Sequence, residues 1–474
     1  MTRGGDARIV LDPATGLNRY FSVPVPREIV ALSSSTVNDI SAEAHEHLKT
    51  QYPHGADHLQ SGPAYGDALD AMRAAIRTAY SLPESTDIFF APSGTDLEYV
   101  GLLAVAGRRA GGIDNHLLGA DEVGSGCIHS AAGHYFANET ALGAAVSPGE
   151  PVAGLPPVAM SDSPVRCDLG EAFDSGYLSG LMAQSIERAI AQDRASLVHV
   201  VHGSKTGLVQ PVLDDIDRLR ARFGQDVTFV VDACQARITA QAINDYLARG
   251  MIVFVTGSKF MGGPPFSGFA LLPAGLAARA APLAGGVAKI FRRAEVPASW
   301  PGREICEDTG NPGLALRLEA SLFELARFQA IPIERVSRIV RAFSRSTDAL
   351  TERLGIAKVA SAPAETPEEP RQHPIEMLTL DTMDLCHDKT GRMIRHLSFE
   401  DAVIIHKSLV DQGIRLGQPV RCVRQDDGSW GATLRIGLSM PQVIRLDAAD
   451  EAGVERWFAE TMAQIGDALD PLLN

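Results

Sequence analysis

Val227-Thr228-Phe229-Val230-Val231-Asp232-Ala233-Cys234-Gln235 is a short β-branched and aromatic run that ends in a carboxylate, a small residue, a thiol and an amide. Its length and composition fit a strand buried on both faces. Two runs of the same kind flank it, Leu197–Val201 upstream and Met251–Val255 downstream. Between the first two, Val212–Phe223 carries Ile216, Leu219 and Phe223 on one helical face, and between the second and third Arg237–Arg249 carries Ile238, Ile243 and Leu247 before a Gly250 stop. Strand, helix, strand, helix, strand predicts an α/β protein with a mainly parallel sheet covered by helices on both sides, in three layers.

Outward from this centre, Ile88–Ala91 reads as a strand end and Asp96–Arg109 as a helix closed by Gly111-Gly112, with Pro92-Ser93-Gly94-Thr95 as the turn between them. Beyond residue 300 the texture changes. Leu314–Ala330 and Ile333–Leu354 read as long amphipathic helices, and Ser361–Pro374 as a Pro/Glu/Ala-rich loop. A strand (Met377–Leu380), a helix (Phe399–Gln412), a strand (Thr433–Leu438) and a helix (Asp450–Leu469) follow. The expected division is a large α/β domain over 1–300, with its N-terminal segment, and a smaller C-terminal α+β domain over 301–474.

The chain of 474 residues is 45% apolar and 21% charged, enough for two to three filled cores at about 100–200 residues per domain. Its net charge of −15 has no long like-signed block, which argues against a nucleic-acid partner. Six cysteines stand singly, without the spacing of a disulfide framework or a metal site. The most apolar long window, Phe269 to Ala288, is broken by Pro273, Arg279 and Pro282, so no membrane span is expected and a soluble, cytoplasmic protein is.

In open parallel sheets ligands sit beyond the carboxyl ends of the strands. The residues found there form a set: Ser93, Gly94 and Thr95; His202-Gly203-Ser204-Lys205-Thr206-Gly207; Asp232-Ala233-Cys234-Gln235; and Thr256-Gly257-Ser258-Lys259. Lysine is scarce, seven in all, and Lys259 lies behind an apolar run between hydroxyl residues and the Gly262-Gly263-Pro264-Pro265 turn. Pyridoxal phosphate needs a lysine amine for its Schiff base, a carboxylate to keep its ring nitrogen protonated, and a donor-rich cup for its phosphate. Lys259, Asp232, and the Ser93–Thr95 turn with Thr256 and Ser258 supply those three needs. Asp232 precedes Lys259 by 27 residues, one β-α-β step.

With these residues the sequence resembles the fold type I pyridoxal phosphate enzymes, and within them the class V aminotransferase and cysteine desulfurase superfamily. The resemblance runs from Phe21–Pro26 through Arg435. It implies that Asp232 and Gln235 face the ring nitrogen and ring hydroxyl, that Ser204 lies near that hydroxyl, and that Lys259 of Thr256-x-Ser258-Lys259 forms the aldimine. Thr309-Gly310-Asn311-Pro312 resembles the segment through which one subunit touches the other's phosphate, which implies a homodimer with shared sites. Arg435 resembles the arginine that grips the substrate carboxylate, a task suited to a bidentate guanidinium.

Two departures stand out. The position of the family's ring-stacking residue falls by direct register on Val123, with His129 and His134 within reach of a shifted register, and His129 is the expected cofactor contact. The desulfurase cysteine is replaced by Val420, with Cys422 two residues on and Cys234 beneath the cofactor. His202 reads either as a base lining the substrate site or as a strand-end histidine. The resemblance implies a small α-amino acid as substrate, an aldimine at Lys259 and a quinonoid, with transamination ahead of a lyase or a C–C or C–S bond-forming reaction. A non-catalytic binding module with the same fold is the rival from another class.

Overall fold

The structure is a computed structural model that describes residues 1–33, 38–120, 122, 127–167, 170–361 and 378–473. The first half runs β1 (Val30–Leu32), α1 (Ala42–Gln51), α2 (Gly62–Tyr80), β2 (Asp87–Ala91), α3 (Leu97–Val105), β3 (Ile113–Leu118), α4 (Cys127–Ala131), β4 (Val158–Ser163), α5 (Ser175–Ala191), β5 (Ala195–His202) and β6 (Val209–Gln210). Then come α6 (Leu213–Phe223), β7 (Val227–Asp232), α7 (Ala240–Ala248), β8 (Ile252–Thr256), β9 (Gly268–Leu272), α8 (Pro312–Gln329), α9 (Ile333–Leu354) and β10 (Ala357–Lys358). The chain ends with β11 (Leu380–Asp384), α10 (Phe399–Asp411), β12 (Ile414–Leu416), β13 (Thr433–Gly437), α11 (Met440–Asp447) and α12 (Glu451–Leu473).

The main sheet has the order β2-β9-β8-β7-β5-β3-β4, with β6 paired to the end of β5. Only β9 and β6 run against the rest: β9 is antiparallel to β2 and β8, and the β8–β7, β7–β5, β5–β3 and β3–β4 pairs are parallel. The three predicted apolar runs are therefore adjacent parallel strands, and every residue of β5 and β8 is buried. Two apolar cores lie on the sheet, one built with α2, α5, α6, α7 and α8, the other with α3 and the segment around Phe291 and Trp300. The layered α/β expectation holds.

Helix α3 is shorter than the predicted Asp96–Arg109: it stops at Val105, and Gly107 with φ +73° turns the chain before the Gly111-Gly112 pair is reached. Downstream, β10, β11 and β13 form a small antiparallel sheet, while β1 pairs in parallel with β12 and ties the N-terminal segment to the C-terminal part. Helix α8 starts at Asn311, whose side chain caps Leu314 N at 3.0 Å. Residues 362–377, which include most of the predicted Ser361–Pro374 loop and Met377, lie outside the described residues. No helix among the described residues is long and apolar enough to cross a membrane.

Candidate active site

Asp232 closes β7 and Thr256 closes β8, and because the two strands are parallel neighbours their carboxyl ends open on the same side. Asp232 Oδ1 accepts the Cys234 N–H at 2.9 Å, which bends the chain directly after the strand. Thr256 Oγ1 donates to the Cys234 carbonyl at 2.6 Å, locking the two strand ends together. Phe260 N donates to Gln235 O at 3.2 Å and Asn38 Nδ2 donates to Lys259 O at 2.8 Å, so the turn carrying Lys259 is held from both sides. The Lys259 ammonium itself makes no hydrogen bond or ion pair among the described residues, and the side chain is only partly buried.

The Ser93–Thr95 turn is pressed onto the same spot. A Cβ on Gly94 would meet Thr256 Cγ2 at 3.0 Å and Cys234 Sγ at 3.6 Å, so only glycine lets this turn approach so closely. Ser93 Oγ donates to Asp96 Oδ2 at 2.5 Å. Burial pushes the Asp96 carboxyl up to about 7, against the lowering effect of that hydroxyl. Thr95 and Ser258 are buried side chains whose hydroxyls have no protein partner among the described residues.

Gln235 is oriented by Arg237, which donates from Nη1 to Gln235 Oε1 at 2.9 Å. Arg237 is fully buried; burial, with the charge of Arg435 adding, brings its guanidinium down to about 9. Arg435 of β13 is held by its own Nε donating to Gln418 O at 2.8 Å, and its Nη atoms have no partner among the described residues. Its guanidinium is brought down to about 10 by burial, with Glu122 opposing. The Lys205 ammonium falls to about 8, from burial first and then the nearby Arg435, with Lys259 adding; the Lys205 side chain thus joins the Lys259 and Arg435 group.

Four of the expected residues are engaged elsewhere. Ser204 Oγ donates to Glu122 Oε2 at 2.8 Å, inside a knot in which Glu122 also accepts from Thr206 N at 3.0 Å, Thr206 Oγ1 at 2.7 Å and Arg166 Nε at 3.2 Å. His202 faces the other side of β5: its Nδ1 meets the Tyr246 hydroxyl at 3.0 Å, and it lines a separate cavity of about 810 Å³ with Tyr80, Phe260, Phe328 and Met440. His129 is exposed on α4, whereas Cys127 of the same short helix is buried, its thiol pushed up to about 12 chiefly by burial, with the Asp232 charge adding. Thr309 is exposed beside Ser61, with its hydroxyl toward Glu307 at 3.3 Å, and does not join the Lys259 group within this chain. Val123 lies outside the described residues. Val420 and Cys422 are buried, and burial raises the Cys422 thiol to about 12.

Sequence reasoning missed Glu122, Arg166, Arg237, Glu98 and His199. The last had a visible signal, a histidine interrupting the apolar run Leu197–Val201. Among the described residues no cluster of His, Cys, Asp and Glu is arranged to hold a metal ion.

No protein-family model matches the chain and no curated protein sequence matches it. Solved structures do. A mutant of C-DES with glycine covalently linked to its PLP cofactor is similar over 92% of this chain and 96% of that one, at TM-score 0.55 and 15% identity. The apo cysteine desulfurase of Thermococcus onnurineus NA1 is similar over 93% and 95%, at TM-score 0.54 and 14% identity. An alanine–glyoxylate aminotransferase of a Nostoc species is similar over 95% and 97%, at TM-score 0.53 and 15% identity. The polypeptide therefore has the fold type I architecture of these structures, along nearly its whole length.

Proposed function

We propose that this chain is a pyridoxal phosphate-dependent enzyme acting on a small α-amino acid, with transamination as its reaction. The observation that carries the reading is Lys259: a lysine amine with no partner among the described residues, on a turn pinned by Asn38 and Gln235, beside the carboxyl end of the strand that presents Asp232. The donor set fits the cofactor. Thr95 offers a hydroxyl next to the start of α3, where helix N–H groups favour a phosphate, and Ser258 offers another from the turn after β8. Gly94 lets this turn close onto Thr256 and Cys234. Gln235, its amide oxygen taken by Arg237, can donate from its NH₂ to a ring hydroxyl.

When bound, the cofactor supplies a conjugated sink for the electron pair left at Cα. The chain's own residues do the rest. With it bound, Arg435 would grip the substrate carboxylate through its two Nη atoms, Asp232 would hold the ring nitrogen protonated, and the Lys259 amine would be the group placed to take up the Cα proton. A homodimer is part of this reading, supported by the exposed Thr309, whose hydroxyl donates to Glu307 Oε2 at 3.3 Å.

The test is the visible absorption of the purified protein with added pyridoxal phosphate, before and after a panel of amino acids, followed by borohydride reduction and peptide mapping. A band that borohydride fixes on Lys259, with oxo acid formed from the amino acid that shifts it, is the expected result. Absence of a band would overturn the cofactor assignment. A band with loss of a β-substituent in place of oxo acid would replace transamination with a lyase.

A further inference from the structure

Beneath Asp232, on the α3 side of the sheet, lie two ionisable groups to which the proposed reaction gives no task. His199 of β5 stands opposite Val230, two residues before Asp232 on β7, so it shares a face with that carboxylate one step deeper. Glu98 reaches the same place from the first turn of α3. Glu98 Oε2 lies 3.5 Å from His199 Nε2, and each residue is 3% exposed. Neither atom has a hydrogen-bond partner among the described residues. The surroundings are apolar: the Phe254 ring stands edge-on to His199 at 6.2 Å, and Gly101 packs on Leu197, Phe254 and Val230.

A charged carboxylate is poorly placed there, because nothing replaces the water it loses. Burial drives His199 down to about 4, Asp232 opposing and His116 of β3 adding, and it drives Glu98 far above the carboxylate range, with Asp232 adding. The Cys127 thiol of α4, within electrostatic reach of Glu98 and Asp232, is itself raised by burial. Both shifts run toward the neutral form of the group.

We propose that Glu98 and His199 form a neutral hydrogen-bonded relay under Asp232: the protonated Glu98 carboxyl donates to His199 Nε2, and His199 donates from Nδ1 toward the Asp232 carboxylate. The acid fixes the imidazole tautomer, and the imidazole orients the carboxylate, as a buried donor behind a functional group does. Glu98 and His199 are then positioning residues that act through Asp232 on the ring nitrogen of the cofactor. The inference rests on the pyridoxal phosphate reading of the site.

The experiment compares Glu98→Gln, Glu98→Leu and His199→Asn with the wild type, each loaded with pyridoxal phosphate. The readouts are the pH midpoint of the visible band and the concentration of cofactor needed for half-saturation. A glutamine amide still donates to Nε2 and leucine does not. Glu98→Gln is therefore expected to titrate close to wild type, while Glu98→Leu and His199→Asn move the midpoint by about one pH unit or weaken cofactor retention about tenfold. A Glu98→Gln as damaging as His199→Asn would overturn the relay in favour of an ion pair. Wild-type behaviour in His199→Asn would overturn any role for the pair. If Glu98→Leu fails to fold by far-ultraviolet circular dichroism, the other two variants still decide. A wild type with no band at all would instead remove the cofactor reading beneath the inference.

Discussion

Arg237 Nη1 donates to Gln235 Oε1 at 2.9 Å across a fully buried turn. A guanidinium has donors only, so this contact fixes the amide with its NH₂ pointing the other way. The pair ties the Gln235 amide to the C-terminal part of the chain, because a Cβ at Gly437 would meet Arg237 Nη2 at 3.0 Å. Arg237→Met is expected to lose about 1.5–3 kcal/mol of stability, the range for a hydrogen bond to a charged group. It is also expected to bind pyridoxal phosphate more weakly, since Gln235 is free to flip. Urea denaturation and cofactor titration check the two parts, and unchanged cofactor affinity would show that Gln235 needs no orientation.

Arg435 is placed for a fork: Nε is held by Gln418 O at 2.8 Å, which leaves both Nη atoms for one carboxylate. A lysine keeps the charge and loses both the fork and the Gln418 contact. Arg435→Lys is expected to weaken binding of an amino acid or an unreactive carboxylic acid by about 2–5 kcal/mol, a factor of tens or more. Spectral titration of the cofactor-loaded protein with such an acid measures this, and an unshifted dissociation constant would move the carboxylate site elsewhere.

The parts of the fold that could be read from the sequence are those in which local pattern and environment agree. β5, β7 and β8 are apolar on both faces and were legible as runs. β3 was not: Asp114, Asn115 and His116 interrupt it, and the groups that meet them in the fold are distant in sequence, Ala131 O accepting from Asn115 Nδ2 at 2.9 Å and Ser161 and Ser163 flanking His116. β9 was hidden in an apolar window, since a strand's direction in the sheet leaves no mark on its composition. In the site, Asp232 and Lys259 were legible from their place just past a strand. The roles of Ser204 and His202 were not, because each depends on a partner far along the chain, Glu122 and Tyr246.

Glu122 gathers four donors onto one buried carboxylate, and Arg166 beside it reaches on to Ala360 O at 2.9 Å. The pair thereby fixes the loop after β3 against the loop after β5. Removing one partner of a buried ion pair leaves the other charge without compensation. Glu122→Ala is expected to cost about 3–5 kcal/mol in chemical denaturation. The double variant with Arg166→Met should cost less than the sum of the singles, because the two share one network. Additive losses would mean that Glu122 acts only through Ser204 and Thr206.

Asp96, directly after the Ser93–Thr95 turn, gives the fold a pH signature. Its carboxyl is raised from 3.8 to about 7, burial being the main cause, and Glu295 is raised from 4.5 to about 7 for the same reason. The folded chain therefore holds two protons that the unfolded chain releases above its ordinary carboxyl range. Stability from these groups is fully present below about pH 4 and is lost as pH rises toward 7. Asp96→Asn is nearly isosteric, keeps an oxygen for the Ser93 hydroxyl and cannot ionise. Relative to wild type it should gain stability steadily from pH 4 to 7, by a total on the order of 1–4 kcal/mol, and show no further change above. Urea midpoints across that range measure the difference. Parallel curves for variant and wild type would mean that Asp96 is ionised in the fold and that its charge is met by Arg8, whose guanidinium acts on it.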